Sequence, residues 1–247
     1  MLQWLVTDLH IHTCLSPCAD LVMSPKNIVE RARSMKIDVI GISDHNTAEN
    51  VQATVKAARA YKITVLPGME VTSSEEVHIL ALFDVVDSAL QLQQTVYEHL
   101  PNERNNEQLF GEQIIVNEYD DVKGYNRRLL ITATSMNVQK IVDTIHTLGG
   151  LALASHIDRE TFSIIGQLGF IPPDLMIDGV EISAHTNINT AAQQFPSVQK
   201  FPKVTWSDAH FLHDIGKTTT KFLIAEPTIK EIRKALRNDD GRSLHCE

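Results

Sequence analysis

The sequence Leu5-Val6-Thr7-Asp8-Leu9-His10-Ile11-His12 holds the main clue to the architecture, because an apolar strand runs directly into two histidines. Side chains two positions apart on a strand point to the same side. His10 and His12 therefore present two imidazoles in one direction, an arrangement suited to binding a metal ion. A single pair of this kind is often only polar core or surface, so its meaning depends on whether other strands end in the same way.

Further short apolar segments do end in polar residues. After the first predicted strand at 5–11, strands are predicted at Asp38–Ser43, Ile63–Leu66, Val77–Phe83, Leu151–Ser155, Gly179–Ser183, Lys203–Trp206 and Phe222–Ala225. Helical patterns lie between many of them, with N-caps predicted at Ser24, Thr47, Asn137 and Thr228. Alternation of buried strands with helices indicates a parallel sheet. The polar residues come from at least five strands, which favours a closed α/β barrel over an open doubly wound sheet.

Chain length is consistent with one barrel domain spanning residues 1–247. The stretch from Leu100 to Arg128 interrupts the alternation, since it is polar and rich in Asn, Glu and Asp. It is predicted to be an insertion over one end of the barrel. A lid over a functional site and a solvated excursion are equally compatible with its composition.

Composition narrows the classes of function and location. The net charge is −9, from 22 basic and 31 acidic residues, which argues against binding of extended duplex DNA by phosphate neutralisation. No apolar run is long enough to cross a membrane, and the first residues lack the pattern of a secretory signal. Three cysteines cannot all pair, so we expect a cytoplasmic protein without structural disulfides.

Barrel geometry would bring the strand-end polar residues to one mouth. The ionisable residues gathered there are His10, His12, Asp44, His45, Glu70, His78, His156, Asp208 and His210. So many ionisable groups are costly to bury unless they are paired or bound to metal. Imidazole with carboxylate suits zinc, iron or manganese, and the number of groups exceeds what one four-coordinate ion needs. Two or more divalent ions are therefore predicted.

This ordered series resembles the PHP (polymerase and histidinol phosphatase) family over nearly the whole chain. The resemblance is carried by the strand-end His-x-His, Asp44-His45, Glu70, two further histidines and the terminal Ser207-Asp208-Ala209-His210. It implies a distorted (β/α)7 barrel and a site for three metal ions. The ligand sets it implies are His10, His12, Glu70 and Asp208 for the first ion, Glu70, His78 and His156 for the second, and His45 and His210 for the third.

The third ion usually has one more ligand in the family, on the loop after His-x-His, and some members use a histidine there. This sequence has Cys18 at that place and Asp20 close by. A thiolate would favour zinc or iron. Both residues remain candidates, and an ordinary loop with a free cysteine is the alternative.

Three other residues are considered for supporting roles. Asp44 is predicted either to orient a histidine ligand or to cap a strand end. Arg159, three residues after His156, either clamps a phosphate or is a surface arginine. Glu181 lies on a predicted strand and is either a residue of the barrel mouth or, the preferred interpretation, a structural pairing residue.

The resemblance implies hydrolysis of phosphate esters by a hydroxide that bridges the metal ions. Nucleotides, short oligonucleotide ends and other small phosphorylated metabolites such as histidinol phosphate are the expected substrates, and the residues do not separate them. A metal-dependent amidohydrolase is one alternative, although Glu70 stands where such an enzyme would carry a bridging lysine. A non-catalytic metal-binding PHP module is the other. The sequence does not indicate an oligomeric state.

Overall fold

The computed structural model describes residues 1–246. The strands are β1 (Gln3–Ile11), β2 (Val39–Ile42), β3 (Thr64–Thr72), β4 (His78–Leu82), β5 (Ile114–Val116), β6 (Val122–Tyr125), β7 (Leu151–Ala154), β8 (Gly179–Ile182), β9 (Lys203–Thr205), β10 (Thr220–Ile224) and β11 (Ser243–Cys246). The helices are α1 (Pro25–Ser34), α2 (Val51–Ala58), α3 (Val86–His99), α4 (Glu107–Phe110), α5 (Val138–Thr147), α6 (Ile164–Leu168), α7 (Ile188–Gln194) and α8 (Ile229–Leu236), with short 3-10 turns at Pro196–Val198 and Asp239–Gly241.

Nine of these strands form one sheet that is nearly closed into a barrel. Their order is β11-β10-β1-β2-β3-β4-β7-β8-β9. The ring closes beyond β9, where Ala209 forms a parallel bridge with Ile11 at the end of β1. The backbone N–H of Ala209 donates to the carbonyl of His10 at 3.2 Å, and the carbonyl of Ala209 accepts from the N–H of His12 at 3.0 Å. Seven strands thus form the ring, which confirms the predicted distorted (β/α)7 barrel.

The sheet is not wholly parallel, so that part of the prediction was wrong. β4 pairs antiparallel with both β3 and β7, and β10 pairs antiparallel with β1. The five residues between β3 and β4 are too few for a crossover helix, so the chain returns as a hairpin. His78 therefore opens β4 instead of ending it, yet it lies at the same mouth as Glu70 near the end of β3.

Helix capping agrees with the sequence at some positions and not at others. The Asn137 side chain accepts a hydrogen bond from the N–H of Lys140 at 2.8 Å, as a capping residue should. Thr47 does not cap a helix, because α2 begins only at Val51. Its hydroxyl instead forms a 2.7 Å hydrogen bond with the hydroxyl of Tyr97 on α3.

The amino end of the barrel is closed by α8. Arg233 on this helix donates to Asp178, just before β8, at 2.8 Å, and to the carbonyl of Gly150, just before β7, at 2.6 Å. Ile229 and Ile232 of α8 belong to a buried apolar cluster with residues of the barrel strands. A functional site is therefore expected at the opposite end, where the strands of the ring carry the polar residues.

The polar stretch 100–128 folds into α4 and the β5–β6 hairpin. It packs on the loop that follows β1. The N–H of Ile114 donates to the carbonyl of Cys14 at 3.1 Å, and the Asn50 side chain links the same strand to α2 through a 3.0 Å bond to the Ile114 carbonyl. The segment thus rests on the loop that leads away from the two histidines of β1. Within residues 1–246, no helix is both long and apolar enough to span a bilayer.

Candidate metal centre

A single buried carboxylate, Glu70 on β3, lies at the middle of the polar mouth, and its side chain is 1% exposed. Its two oxygens face five histidines brought by four different strands and their ends. The Oε1 distances are 3.3 Å to His10 Nε2 and 3.3 Å to His156 Nε2, and the Oε2 distances are 3.1 Å to His78 Nδ1, 3.3 Å to His45 Nδ1 and 3.7 Å to His12 Nε2. The backbone of Glu70 is fixed by pairing with the segment after β2, since its N–H donates to the carbonyl of Asp44 at 3.1 Å.

A second carboxylate, Asp208 after β9, faces the same histidines from the other side. Its Oδ1 lies 3.2 Å from His12 Nε2, 3.4 Å from His10 Nε2 and 3.6 Å from His210 Nδ1. Its Oδ2 lies 2.7 Å from Nη2 of Arg159. The two carboxylates and the six histidines around them, hereafter the candidate centre, are His10, His12, His45, Glu70, His78, His156, Asp208 and His210.

Within the candidate centre, three groups of side chains have ligand atoms close enough to share one ion. They are His10, His12 and Asp208; His45, Glu70 and His78; and His12, His45 and His210. All atoms of a group lie within 4.8 Å of one another. Side chains belonging to two groups, such as His12 and His45, would lie between neighbouring ions.

Unsatisfied buried atoms test whether this arrangement fits metal ions. Among residues 1–246, several buried nitrogen and oxygen atoms of the candidate centre lack any hydrogen-bond partner. They are His45 Nδ1, Glu70 Oε1, His78 Nδ1, His156 Nδ1 and Asp208 Oδ1. Folded proteins rarely leave such groups unpaired, because desolvation without compensation is costly. Imidazole nitrogen and carboxylate oxygen are the donors that bind zinc, manganese and iron, so the donor set fits divalent metals.

The electrostatics of the candidate centre also suit metal binding. Burial alone would raise the pKa of Glu70 and of Asp208, but the surrounding histidines hold both values well below the ordinary range. Burial lowers the pKa of His12 to about 3, and burial with the neighbouring His12 lowers that of His45 well below its usual value. The carboxylates are thus ionised and these two imidazoles neutral, which is the protonation state a metal requires.

His10 differs, because it lies between several carboxylates. Burial would lower its pKa, but Glu181, Asp208 and Glu70 together raise it well above the ordinary value. These three carboxylates favour a positive charge at this place, which a protonated His10 supplies. A bound cation would take over this role.

Strained backbone accompanies the candidate centre. His156 has a φ of 27° and Asp208 a φ of 48°, and Asn46 beside His45 has a φ of 54°. Residues other than glycine held at such angles cost about 1–3 kcal/mol each and concentrate at functional sites. Three such residues next to ligand candidates indicate that the surrounding fold holds the centre in place against local preference.

Comparison with known proteins now identifies the family. The family model described as PHP domain matches residues 8–169, and a second model, described as PHP-associated, matches residues 187–240. The chain belongs to the PHP family. The predicted class of enzyme, a metal-dependent phosphoric ester hydrolase, is supported by the family match and by the similar proteins described next.

Two relatives represent the similarity in sequence. An uncharacterised protein of Methanocaldococcus jannaschii is 32% identical over 183 residues, covering 71% of this chain and 79% of the relative. A 5′-3′ exoribonuclease of Haemophilus influenzae is 24% identical over 194 residues, covering 60% of this chain and 68% of the relative.

Solved structures share the PHP fold with the chain. The lesion-specific endonuclease of Pyrococcus furiosus superimposes with a TM-score of 0.71 at 18% identity, covering 98% of this chain. The chain spans only 58% of that endonuclease. A two-domain protein of Bacteroides vulgatus containing a predicted PHP-like metal-dependent phosphoesterase gives a TM-score of 0.56 at 16% identity, covering 99% of this chain and 65% of that one. At these identities the likeness concerns the fold.

Glu181 supports the candidate centre by contacting His10, which its sequence context does not indicate. Its Oε1 and Oε2 lie 3.0 Å and 2.9 Å from Nδ1 of His10, and its Oε2 accepts from the N–H of His156 at 3.2 Å. A carboxylate on Nδ1 fixes the imidazole so that Nε2 faces the cluster. The interpretation as a pairing residue was right, but its partner is a ligand candidate. The one sequence signal was an acidic residue inside a buried strand.

Asp44 acts on a histidine through an intermediary. Its oxygens accept hydrogen bonds from the backbone and side chain of Thr13 and, at 2.7 Å, from the hydroxyl of Ser16. That hydroxyl lies 3.0 Å from Nδ1 of His12. Asp44 is therefore both a fixed point for the loop after β1 and, through Ser16, a support for His12.

The two candidates for an additional ligand on the loop after β1, Cys18 and Asp20, have different surroundings. Cys18 is exposed, yet its thiol is near enough to the centre that burial of the sulfur and the charges of Asp208 and Glu70 raise its pKa to about 12. Asp20 is exposed, and its carboxylate accepts from the N–H of Val22 at 3.0 Å. Neither belongs to the three closely spaced groups.

Other histidines lie outside the candidate centre. His99 bonds to the carbonyl of Thr95 within its own helix, at 2.8 Å. His146 pairs with Asp178 at the amino end of the barrel. Arg159, in contrast, reaches the centre from the loop after β7, with its side chain 38% exposed.

Proposed function

We propose that the chain hydrolyses phosphate esters at the candidate centre, on nucleotides or the ends of short single-stranded nucleic acids. The observation that carries this proposal is the set of buried, unpaired nitrogen and oxygen atoms around Glu70 and Asp208, with the half-exposed guanidinium of Arg159 beside them. Metal ligands that converge in this way, next to a cation open to solvent, suit a substrate that brings a phosphate.

Two or three divalent ions of zinc, manganese or iron, when held there, would polarise the phosphoryl group and lower the pKa of an attacking water. Glu70 would help to hold the ions, since each of its oxygens faces two or more histidines. Glu181 and the pair of Asp44 with Ser16 would keep His10 and His12 aligned.

Arg159 would hold the substrate phosphate. A guanidinium carries five N–H donors, so its contact with Oδ2 of Asp208 leaves donors for a phosphate oxygen. Phosphoryl transfer depends mainly on positioning and on neutralising charge that develops on oxygen. Since Arg159 contacts Asp208, a ligand candidate, the arginine would reach the phosphoryl group of a substrate bound at the candidate centre.

Similar proteins support the choice of substrate. The Haemophilus influenzae relative is a 5′-3′ exoribonuclease, and the Pyrococcus furiosus structure is that of a lesion-specific endonuclease. The net charge of −9 gives this chain little attraction for an extended duplex. A nucleotide or a short single-stranded end needs only local contacts. The segment 100–128 would serve as a lid or rim, because it rests on the loop that leaves the two histidines of β1.

Phosphate release from a panel of esters tests the proposal. The protein would be loaded in turn with zinc, manganese and iron and given nucleoside bisphosphates, 5′-phosphorylated oligonucleotides and histidinol phosphate. We expect metal-dependent release that is lost in His10→Ala and Asp208→Ala and retained in His99→Ala, which removes a histidine outside the centre. Absence of release or cleavage with every fully loaded form would overturn the proposal, and a preference for histidinol phosphate would overturn the nucleic-acid part.

A further inference from the structure

One aromatic residue at the mouth is not explained by the ligand geometry. Phe162 lies on the loop between β7 and α6, after His156 and Arg159 on the same loop. Its ring stacks on that of His78, with centroids 4.7 Å apart and planes inclined by 19°. Its carbonyl accepts a hydrogen bond from the N–H of His78 at 2.9 Å. The residue is thus attached to the candidate centre by both its side chain and its backbone.

The conformation of Phe162 is unusual for its type. Its φ is 58°, a left-handed value that is an outlier for a bulky side chain, and the residue is 38% exposed. The loop around it is nevertheless tightly held. The hydroxyl of Ser163 donates to the carbonyl of Arg159 at 2.6 Å and accepts from the N–H of Gly166 at 2.9 Å, which caps α6. The phenyl group is therefore presented in a fixed orientation at a backbone cost.

The two faces of the phenyl ring have different surroundings. Because the ring is nearly parallel to that of His78, one face is occupied by the imidazole and the other points away from it. Since the imidazole covers the inner face, the 38% exposure of Phe162 belongs to the rest of the residue. Shielding of His78 accounts for the inner face only, and an aliphatic side chain would shield it as well. A partly exposed aromatic ring on the same loop as Arg159, the residue proposed to hold the phosphate, is a surface on which another ring can stack.

We propose that the outer face of Phe162 is a stacking platform for the nucleobase adjacent to the scissile phosphate. The inference rests on the proposed function and specifies its substrate, a phosphate ester that carries a base. Every base has a π face, so stacking on an aromatic side chain is tolerant of sequence and needs no basic surface. It also explains how a chain with a net charge of −9 would hold a polyanionic end.

Arg159 and Phe162 would contact different parts of the substrate. Nη2 of Arg159 contacts Asp208 at 2.7 Å, while Phe162, three residues later, stacks on His78, which lies next to Glu70. One loop therefore positions a donor for the phosphate and a platform for the base. Because Ser163 fixes this loop to its own backbone, the spacing between the two contacts is set by the fold.

A matched pair of oligomers tests the platform. The probes are a 5′-phosphorylated tetranucleotide of deoxyadenosine and the same backbone without bases. Stacking contributes roughly 1–3 kcal/mol per base, which corresponds to a roughly 5- to 150-fold lower KM for the base-bearing oligomer. We expect Phe162→Leu, which still covers His78, to remove most of this preference by raising the KM of the base-bearing oligomer far more than that of the abasic one. Phe162→Tyr should retain the preference.

The control is Phe170→Leu, because Phe170 is a more exposed phenylalanine beyond the C-terminus of α6. It should behave as the wild type with both oligomers. An equal loss on both oligomers in Phe162→Leu would overturn the proposal and leave Phe162 as a support for His78.

A binding measurement separates this proposal from the proposed function. In Phe162→Trp, indole emission should be quenched by the base-bearing oligomer and not by the abasic one, whereas Phe170→Trp should respond to neither. Quenching without hydrolysis by any metal form would support the platform and reject the phosphoesterase. Hydrolysis of both oligomers with equal KM and no selective quenching would reject the platform and leave the phosphoesterase standing.

Discussion

The two ends of the barrel differ in how far their buried polar groups are hydrogen-bonded. At the amino end, Asp178 is satisfied on both oxygens. It accepts from Arg233 Nε at 2.8 Å, from the N–H of Ala152 at 3.0 Å and pairs with His146 Nε2 at 2.9 Å. At the carboxyl end, Glu70 and Asp208 each keep one oxygen without a hydrogen-bond partner among residues 1–246.

The contrast separates stability from function within one fold. A complete buried network stabilises, because every desolvated atom regains a partner. An incomplete one costs free energy in the protein alone and is maintained for a ligand that completes it. The positive φ values of His156 and Asp208 add to that cost. The amino end therefore has the features of a structural network and the carboxyl end those of a site.

Replacing Glu70 by Gln should give the largest effect and test the contrast most directly. The amide retains the shape but removes the charge that would bridge the ions, so we expect metal-dependent turnover to fall by at least about 100-fold. Turnover would be measured with the best ester of the panel. The matched control is Glu98→Gln on the exposed face of α3, which should keep wild-type turnover. Wild-type turnover in Glu70→Gln would show that the centre does not depend on this carboxylate.

Replacing Glu181 by Gln should give an intermediate effect. The neutral amide no longer provides a carboxylate for Nδ1 of His10, and loss of such a partner typically lowers metal affinity or activity by about 10- to 100-fold. Competition with a chromophoric chelator would measure the affinity for zinc. Glu226→Gln, at an exposed position, is the control. An unchanged affinity in Glu181→Gln would mean that His10 is held in place by other contacts.

Replacing Asp178 by Asn should give the smallest effect, a pH-dependent loss of stability. It concerns only the amino end of the barrel. Burial would raise the pKa of Asp178, but the hydrogen bonds from His146 and Arg233 outweigh it and lower the pKa. The lowered value stabilises the fold above the unfolded pKa of about 3.9, and this stabilisation is lost as pH falls through the folded pKa. We expect Asp178→Asn to lower the free energy of unfolding by about 1–3 kcal/mol at neutral pH.

Denaturant titrations of wild type and Asp178→Asn at neutral pH and at about pH 3 would measure this difference. The gap between the two proteins should narrow in acid, while metal-dependent turnover at neutral pH stays the same. A gap that widens in acid would contradict the lowered pKa. A loss of turnover would contradict the separation of the two ends.

The sequence predicted the barrel because strand and helix patterns are local, and strand ends such as Asp44-His45 and Asp208-Ala209-His210 lie in order along the chain. It missed the reversal of β4, since a single apolar strand has no direction until its partners are known. The eight residues of the candidate centre lie together in the fold, but their division among ions is still a prediction. Phe162 was not singled out, and Glu181 was not linked to a ligand candidate, because their importance depends on partners distant in sequence, His78 and His10.

The contact that closes the ring has a consequence for assembly. The bridge between Ile11 and Ala209 joins the two ends of nearly the whole chain, and it lies between His10 and His12 on one side and Asp208 and His210 on the other. The seam of the barrel and the candidate centre are thus the same place. An ion bound there would have ligands on both sides of the seam. Metal binding and closure of the barrel would therefore be coupled, each favouring the other.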